Sequence, residues 1–142
     1  MITGRCHCGS VSYEYHGEPI WAGFCHCRTC QRLTGSGHSC SLGAARDRLV
    51  IRGETRTYPV PRPDGPPSVR HFCPTCGSQI FGEPGSLPGF ISIYAGTLDD
   101  PDVFQPTNAI FTRCRPSWDH IKGDLQEFAG HPSEPVAAAR PR

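Results

Sequence analysis

Residues 73–77 read CPTCG, two cysteines separated by two residues and followed by a glycine. In such a turn both sulfurs can face one point, because the glycine can take the positive φ that closes the turn and lets backbone N–H groups approach the thiolates. A redox CxxC motif would instead be followed by a helix. The next residues, GSQIFGEPG (77–85), have an extended pattern broken by glycine, which favours metal binding over redox chemistry.

One such turn supplies two ligands, whereas a tetrahedral structural zinc site takes four. The segment CHCG (6–9) can provide the missing pair, since residues i and i+2 of an extended chain point to the same side. The sequence therefore predicts a closed site that joins the N-terminal strand to the middle of the chain. Such a site contributes on the order of 10 kcal/mol of metal-linked folding free energy. Its four ligands would be Cys6, Cys8, Cys73 and Cys76.

A second cluster, FCHCRTC (24–30), holds Cys25, Cys27 and Cys30. Three thiolates in one loop make a tridentate site, and catalytic zinc characteristically has three protein ligands and one open position. The rival partition, in which FCHCRTC closes on CPTCG and CHCG is left over, stays open. We favour the first partition because the second leaves a remainder of only two sulfurs.

Four histidines lie near these motifs, and none has ligand spacing of its own. His7 and His26 each stand between two cysteines, where the middle side chain of an extended CxC points away from the shared ion. We expect both to be partly exposed or to hydrogen-bond to a ligand. His38 and His71 are expected on the surface, with a substrate carboxylate as the functional alternative.

Composition limits what the nine cysteines can mean. The chain has 142 residues, 37% hydrophobic residues, 16 Gly and 15 Pro, which fits one turn-rich domain with a modest core. No apolar run approaches the ~20 residues of a membrane span, and the N-terminus lacks the layout of a signal peptide. We therefore expect a cytoplasmic protein, where clustered cysteines are more often metal ligands or catalytic groups than disulfides. The solitary Cys40 and Cys114 are interpreted as small buried hydrophobic residues.

The charge pattern bears on partners. A net charge of +1 argues against nucleic acid, because phosphate binding depends on basic patches. Thirteen of the 14 basic residues are arginine, which suits carboxylate recognition and allows an anionic small molecule. A homodimer is compatible with the sequence, and no membrane contact is expected.

Strand patterns dominate the chain. Val11, Tyr13 and Tyr15 alternate with polar residues, as in a half-buried strand. LVIRGETRTY (49–58) reads as a hairpin with Gly53 in its turn. A short apolar run, IWAGF (20–24), leads into the FCHCRTC cluster. Further strands are predicted at SVRHF (68–72), FISIYAG (90–96) and AIFTRC (109–114), and a proline-rich loop at PVPRPDGPP (59–67).

Helix signals are few. TCQRLTG (29–35) can form one or two helical turns before Gly35. The sequence thus predicts a mainly β fold, one zinc-binding domain over residues 1–128, stabilised by metal. Residues 129–142 lack large apolar side chains and are expected to form a disordered C-terminal tail.

The charge of a three-thiolate zinc site determines which reactions it favours. A zinc dication with three thiolates carries a formal −1, so it is a poorer electron acceptor than the His-rich sites that lower the pKa of bound water to about 7. It suits a soft fourth ligand, and an incoming thiol would lose its proton there. Addition of a thiol to an aldehyde, or cleavage of such an adduct, fits this chemistry.

Taken in order, the motifs resemble the glutathione-dependent formaldehyde-activating enzyme family, which also includes centromere protein V. The resemblance spans about residues 3–128, and its triple pattern CxC, CxCxxC, CxxCG is highly specific. The matching segments are RCHCG (5–9), CHCRTCQRLTGS (25–36), RHFCPTCGSQIF (70–81), AGTLDDP (95–101) and the late Trp118.

The resemblance implies a β-tent fold with a zinc-ribbon-like core and two zinc ions per chain. It implies carbon–sulfur lyase or synthase activity, in the type case between glutathione and formaldehyde to give S-hydroxymethylglutathione. A low-molecular-weight thiol such as glutathione would be the cosubstrate. By residue, it assigns Cys6, Cys8, Cys73 and Cys76 to the structural zinc, and Cys25, Cys27 and Cys30 to the catalytic zinc.

One position departs from the family pattern, and two other hypotheses remain open. The family commonly has His in a P-x-x-H-I pattern, whereas PTNAIF (106–111) puts Ala109 there. Two alternatives follow if that His is functional in relatives: this protein uses Asn108 instead, or it acts on another substrate. A non-catalytic zinc-ribbon-like binding module is one alternative. Thiol redox chemistry at Cys27 and Cys30 is another.

Overall fold

Eleven strands and one short α-helix form the regular structure of residues 1–63 and 65–132, the part of the chain that this computed structural model describes, together with short 3₁₀ turns. The strands make two sheets. The helix α1 spans Arg28–Thr34. The strands are β1 (Ile2–Arg5), β2 (Ser12–Tyr15), β3 (Trp21–Cys25), β4 (Ser39–Ala45), β5 (Leu49–Arg52), β6 (Arg56–Val60), β7 (Ser68–Phe72), β8 (Gln79–Glu83), β9 (Phe90–Tyr94), β10 (Asn108–Ile110) and β11 (Gln126–Glu127).

The smaller sheet has three antiparallel strands in the order β1-β2-β5. The predicted alternation in β2 is confirmed, since Tyr13 and Tyr15 are buried while Ser12 and Glu14 are partly exposed. Because successive side chains of a strand point to opposite faces, this sheet has one face on the core. The other face carries the polar side chains.

The larger sheet has eight strands in the order β11-β10-β3-β4-β9-β8-β7-β6. Each of its central strands β3, β4, β9 and β8 is antiparallel to its neighbours in that set, and β10 runs parallel to β3. Apolar residues of both sheets meet in one core. Its most buried members include Val11, Tyr13, Leu42, Ile80, Phe81, Ile91 and Ile93.

The prediction of a hairpin at residues 49–58 is wrong. Strand β5 pairs with β2 in the smaller sheet, while β6 pairs with β7 in the larger one. Gly53 lies at the crossing with φ of 93°, and a Cβ there would overlap the carbonyl oxygen of Ser10. The sequence pattern identified both strands but carried no information about their partners.

Gly53→Ala is expected to destabilise the protein by more than the ~1–2 kcal/mol that a left-handed backbone costs an L-residue, because Ser10 must also move. Gly89→Ala is the matched control, since Gly89 has φ of 79° but open space around its Cα. Denaturant unfolding of the metal-loaded protein measures both changes. Equal losses for the two variants would contradict the role assigned to Ser10.

Most of the remaining local predictions are confirmed, and two strands are shorter than predicted. The strand at 68–72 is confirmed as β7, the strand at 90–96 is confirmed as β9 but ends at Tyr94, and the short helix ends at Gly35 as expected. The apolar run at 20–24 lies mostly in β3. The predicted strand 109–114 is shorter, because Phe111 has φ of 54° and Thr112–Cys114 form a 3₁₀ turn.

The mainly β prediction is confirmed, since the strands of the described residues form two sheets and the α-helix is short. Among the described helices, none is long and apolar enough to cross a bilayer. At the C-terminal end, the carbonyls of Ala129 and Gly130 accept hydrogen bonds from the backbone N–H groups of Arg113 and Phe111. Most of the predicted tail, residues 133–142, lies outside the described residues.

Candidate metal centres

The first cysteine cluster joins the two sheets. Cys6 and Cys8 follow β1 of the smaller sheet, while Cys73 and Cys76 lie in the turn between β7 and β8 of the larger one. The four sulfurs lie within 4.8 Å of one another, with Sγ–Sγ distances of 3.5 Å for Cys6–Cys8 and 3.8 Å for Cys8–Cys73. A tetrahedral zinc with Zn–S bonds of about 2.3 Å separates its sulfurs by about 3.8 Å. The structure therefore brings together the predicted four-cysteine set, at spacings that fit a zinc ion.

Both turns of this cluster end in a left-handed glycine. Gly9 and Gly77 have φ of 79° and 74°, and their N–H groups donate to the carbonyls of Cys6 and Cys73 at 3.1 and 2.9 Å. This is the closure expected from the glycine after each motif. The N–H of Val11 also donates to Cys6 Sγ at 3.3 Å.

Two serines support the same thiols. Ser10 Oγ lies 3.0 Å from Cys8 Sγ and 3.2 Å from Cys73 Sγ. The Ser78 hydroxyl, with its backbone N–H, lowers the pKa of Cys76 to about 5. Hydrogen bonds to a thiolate favour the ionised form, which is the form that binds metal.

The second cluster lies where β3 meets α1. Cys25 ends β3, Cys27 is the N-cap of α1 and Cys30 lies within the helix. Their three sulfurs lie within 4.8 Å of one another, and the N–H of Cys30 donates to Cys27 Sγ at 3.2 Å. Cys30 is buried while Cys25 and Cys27 are partly exposed, so the cluster is accessible from the side of these two residues.

The three sulfurs are too close to ionise independently. Proximity to Cys27 and Cys30, with burial, raises the pKa of Cys25. Hydrogen bonds from Cys25 and Cys27, then from Ser39, and the positive charge of Arg70 lower the pKa of Cys30 despite its burial. One thiol thus stays protonated while another ionises. Full ionisation of the cluster requires a cation, as a three-thiolate metal site supplies.

Buried hydrogen bonds fix the loop that carries the second cluster. The Gln31 amide donates to the carbonyls of His26 at 2.7 Å and Cys114 at 2.9 Å. The N–H of His26 donates to the Ile110 carbonyl at 3.0 Å. The loop is therefore attached to β10 and to the segment after it, which limits its movement.

A cation and a phenol lie beside the second cluster. Arg70 Nη2 is 4.0 Å from Cys30 Sγ, and its Cζ is 6.0 Å from the centre of the Tyr94 ring. Burial raises the pKa of Tyr94 to about 12; Arg70 opposes the shift, and Cys30, Cys25 and Cys27 add to it. Sequence analysis missed both residues. The only signal for Arg70 was its place in RHFCPTCGSQIF, one of the segments that carry the family resemblance.

Other described polar side chains near the motifs contribute no ligand atom to either cysteine cluster. Arg28 donates to the side chain of Gln31, and Arg32 is exposed in the last turn of α1. His7 is exposed, as one of the two expectations had it. His71 is partly buried instead of lying on the surface: its ring stacks on Phe81, and Nε2 is 2.6 Å from Glu83.

His26 belongs to a buried polar network. Its side chain is fully buried, so the expectation of partial exposure is wrong. Nδ1 lies 3.1 Å from Asp119 Oδ2, and Nε2 accepts a hydrogen bond from Arg115 Nε at 3.3 Å. His38 Nδ1 is 2.8 Å from the same carboxylate oxygen, and its side chain is only 20% exposed. Burial, and then Arg115, lower the pKa of His26, which favours the neutral ring.

The atoms of His26, His38 and Asp119 lie within 4.8 Å of one another and could surround a cation. Their separations of 2.8 and 3.1 Å are shorter than the ~3.3 Å between ligands of a tetrahedral zinc with bonds of about 2.05 Å. Both distances are normal for hydrogen bonds. We therefore interpret this cluster as a hydrogen-bonded network in which both Nδ1–H groups donate to Asp119.

Asp119→Ala is expected to lower the free energy of unfolding by about 1–3 kcal/mol, because the buried imidazole of His26 and the partly buried one of His38 lose their shared carboxylate acceptor. The control is Asp99→Ala, which removes an exposed ion pair with Arg5 at 3.5 Å and should cost less than ~1 kcal/mol. Denaturant unfolding measures both variants. A loss no larger than that of Asp99→Ala would show that the network contributes nothing to stability.

Comparison with known proteins addresses the family. The model of the family described as glutathione-dependent formaldehyde-activating enzyme matches residues 1–114. The chain belongs to this family. Both cysteine clusters lie within the matched region, and Asp119 lies beyond it.

Two relatives extend this finding. A protein of Halomonas elongata, named "Putative glutathione-dependent formaldehyde-activating enzyme", is 29% identical over 146 residues, which cover 96% of this chain and 92% of the relative. A crystal structure of a Rhodobacter sphaeroides protein matches with a TM-score of 0.56 and 25% identity, over 68% of this chain and 87% of that one. Sequence similarity to the first relative thus extends along nearly the whole chain, and the fold is shared with a solved structure.

Proposed function

We propose that this member of the formaldehyde-activating family is a zinc-dependent carbon–sulfur lyase or synthase that acts on thiol–aldehyde adducts, with glutathione or a similar thiol as cosubstrate. The observation that carries the proposal is the cluster of Cys25, Cys27 and Cys30. Among the described residues, no fourth Cys, His, Asp or Glu ligand joins these three sulfurs. A site with three protein ligands and one open position is typical of catalytic zinc.

The donor set fits the metal. Thiolates select soft or borderline ions such as zinc, and the four-cysteine cluster has the separations that a structural zinc requires. We propose two zinc ions per chain, one in each cluster. When bound, the second ion would supply a thiophilic centre that lowers the pKa of an incoming thiol.

The side chains around the second cluster would have different roles in the proposed reaction. Cys25 and Cys27 are partly exposed and leave an approach for the thiol, whereas Cys30 is buried against Arg70. The cation of Arg70 offsets negative charge on the sulfurs. The bonds from Gln31 and His26 hold the loop in place, so little reorganisation is needed when substrates bind.

The reaction balances without an oxidant or reductant. In the synthetic direction the thiol loses its proton, and its sulfur forms a bond to the aldehyde carbon while the carbonyl π bond breaks. The electron pair moves to oxygen, which takes up a proton to give the S-hydroxymethyl adduct. The lyase direction reverses each step.

The two alternatives predict different sites. A non-catalytic zinc-binding module would have four protein ligands in both clusters, and the described residues offer only three in the second. Redox chemistry at Cys27 and Cys30 requires both thiols to be metal-free. Cys25 lies in the same cluster, so a metal bound by the three sulfurs would occupy both thiols. The cytoplasmic location, the absence of a nucleic-acid partner and a homodimer stay predictions.

Exchange NMR on mixtures of formaldehyde and glutathione tests the proposal. With zinc-loaded protein, the exchange rate between free glutathione and its adduct is expected to rise at least ~100-fold over the protein-free rate, since positioning alone can supply more. Repeating the measurement with other thiols identifies the cosubstrate. An unchanged rate for every thiol, in protein that retains two zinc ions, would refute the proposal.

A further inference from the structure

Two buried hydrogen-bond donors next to the second cluster have no hydrogen-bond partner among the described residues. Tyr94 is 7% exposed, and within the described part of the chain its hydroxyl has no hydrogen-bond partner. The same holds for Nε of Arg70, whose Nη2 is 4.0 Å from Cys30 Sγ. A buried polar group without a partner is costly and rare, so a pair of them beside a reactive cluster calls for a functional explanation.

The sheet is shaped to put the Arg70 guanidinium in this place. Arg70 on β7 pairs with Gly82 on β8, and a Cβ at Gly82 would overlap Arg70 Nη1. The guanidinium therefore lies over Gly82 and extends toward Tyr94 on the next strand, β9. Because residue 82 is a glycine and has no side chain, the Arg70 guanidinium can occupy this position.

The chemistry of the adduct indicates what the donors would bind. In a thiol–aldehyde adduct the oxygen is only two bonds from the sulfur. When the sulfur lies at the second cluster, that oxygen must lie within a short distance of it. Negative charge develops on this oxygen as the carbon–sulfur bond forms, and preorganised donors stabilise such charge best where water is excluded.

We propose that Arg70 and Tyr94 form the oxygen-binding subsite of the active site, in which the guanidinium and the phenol O–H donate hydrogen bonds to the oxygen on the carbon that bonds to sulfur. The inference rests on the proposed function for the identity of the substrate. It adds two residues that contact the reacting atoms. It also states a selectivity: the site prefers sulfur ligands that carry oxygen on the adjacent carbon.

A binding measurement tests this preference without turnover. Thioacetate carries oxygen on the carbon next to sulfur, and ethanethiol of similar size does not. Both can be titrated into cobalt-substituted protein, where the sulfur-to-cobalt charge-transfer band reports binding. The quantity of interest is the ratio of the two dissociation constants, compared between wild type and variants, because the intrinsic affinities of the two sulfur ligands for the metal cancel in that comparison.

Tyr94→Phe and Arg70→Gln are each expected to reduce the preference for thioacetate by about 10-fold to 100-fold, as expected for loss of a hydrogen bond to a charged acceptor. Gly82→Ala should reduce it in the same direction by displacing the guanidinium. The matched controls are Tyr58→Phe and Arg56→Gln on β6, both exposed, and both should keep the wild-type ratio. Tyr94→Phe removes a hydroxyl that has no partner in the described structure, so the fold should tolerate it.

The outcomes separate the two proposals. A ratio that stays at the wild-type value in folded Tyr94→Phe and Arg70→Gln overturns the oxygen-binding subsite, as does an equal fall in the Tyr58 and Arg56 controls. If the ratio falls as expected while the wild type shows no exchange of formaldehyde with glutathione, the subsite stands and the proposed substrate is wrong. In exchange NMR, loss of one donor should lower turnover by about 10²–10³-fold.

Discussion

Cys8→Ser is expected to abolish cooperative folding, or to destabilise the protein to the extent that no native baseline is seen at 25 °C. The reason is that a structural zinc site contributes on the order of 10 kcal/mol of metal-linked folding free energy, which is comparable to the whole stability of a small domain. Cys8 is exposed, so the substitution removes a ligand with little loss of packing. Circular dichroism during denaturant titration, with zinc counted by mass spectrometry, provides the measurement.

The controls separate metal from packing. Cys73→Ser should unfold the protein as well, although Cys73 is fully buried and its loss also perturbs the core. Cys114→Ser, which lies outside both clusters, should change stability by less than ~1 kcal/mol. A strong chelator should reproduce the effect of Cys8→Ser in the wild type. Folded, cooperative Cys8→Ser protein would show that the first cluster does not hold the fold together.

Cys27→Ser is expected to leave the fold intact and to reduce exchange of formaldehyde with glutathione by at least ~100-fold, more than loss of a group that only orients a ligand usually costs. The loop that carries Cys27 is held by hydrogen bonds of Gln31 and His26, and a serine hydroxyl can still accept the N-cap hydrogen bond that the Cys30 N–H gives to Cys27 Sγ. Its zinc content should fall from two ions to one. Exchange NMR, thermal unfolding and metal analysis on the same sample provide the three readouts.

Cys40→Ser is the control for this variant, because Cys40 lies on β4 outside the cluster and should keep both zinc ions. Unchanged turnover in Cys27→Ser protein that has lost its second zinc would exclude that ion from the reaction. Unfolding of Cys27→Ser would instead give the second cluster a structural role. The contrast with Cys8→Ser thus assigns one cluster to stability and the other to chemistry.

The sequence was most informative where spacing alone determines geometry. A CxC or CxxCG segment constrains its two sulfurs locally, so the grouping of Cys6 and Cys8 with Cys73 and Cys76 could be predicted by counting ligands. Single strands such as β2 and β9 could be predicted from their alternation for the same reason. These features depend on residues close together in the chain.

Features that depend on distant partners could not be predicted. Residues 49–58 have the pattern of a hairpin, but β5 pairs with β2 in the smaller sheet and β6 pairs with β7 in the larger one. Arg70 reaches Cys30 across 40 positions, and Asp119 reaches His26 across 93. An isolated arginine or aspartate carries no period or spacing that points to such a partner.

The first cluster also bears on the order in which the chain assembles. It joins residues 65 positions apart, from Cys8 beside the smaller sheet to Cys73 beside the larger one. Closing a loop of that length costs about 4 kcal/mol of chain entropy, a cost that falls on whichever contact forms first between the two sheets. If zinc binds CHCG first, the entropy cost of loop closure is paid when CPTCG binds the same ion. Pairing of β1 with β2 is local and requires no such loop closure. Refolding from the unfolded, metal-free state should therefore depend on zinc concentration in its slow, sheet-docking phase.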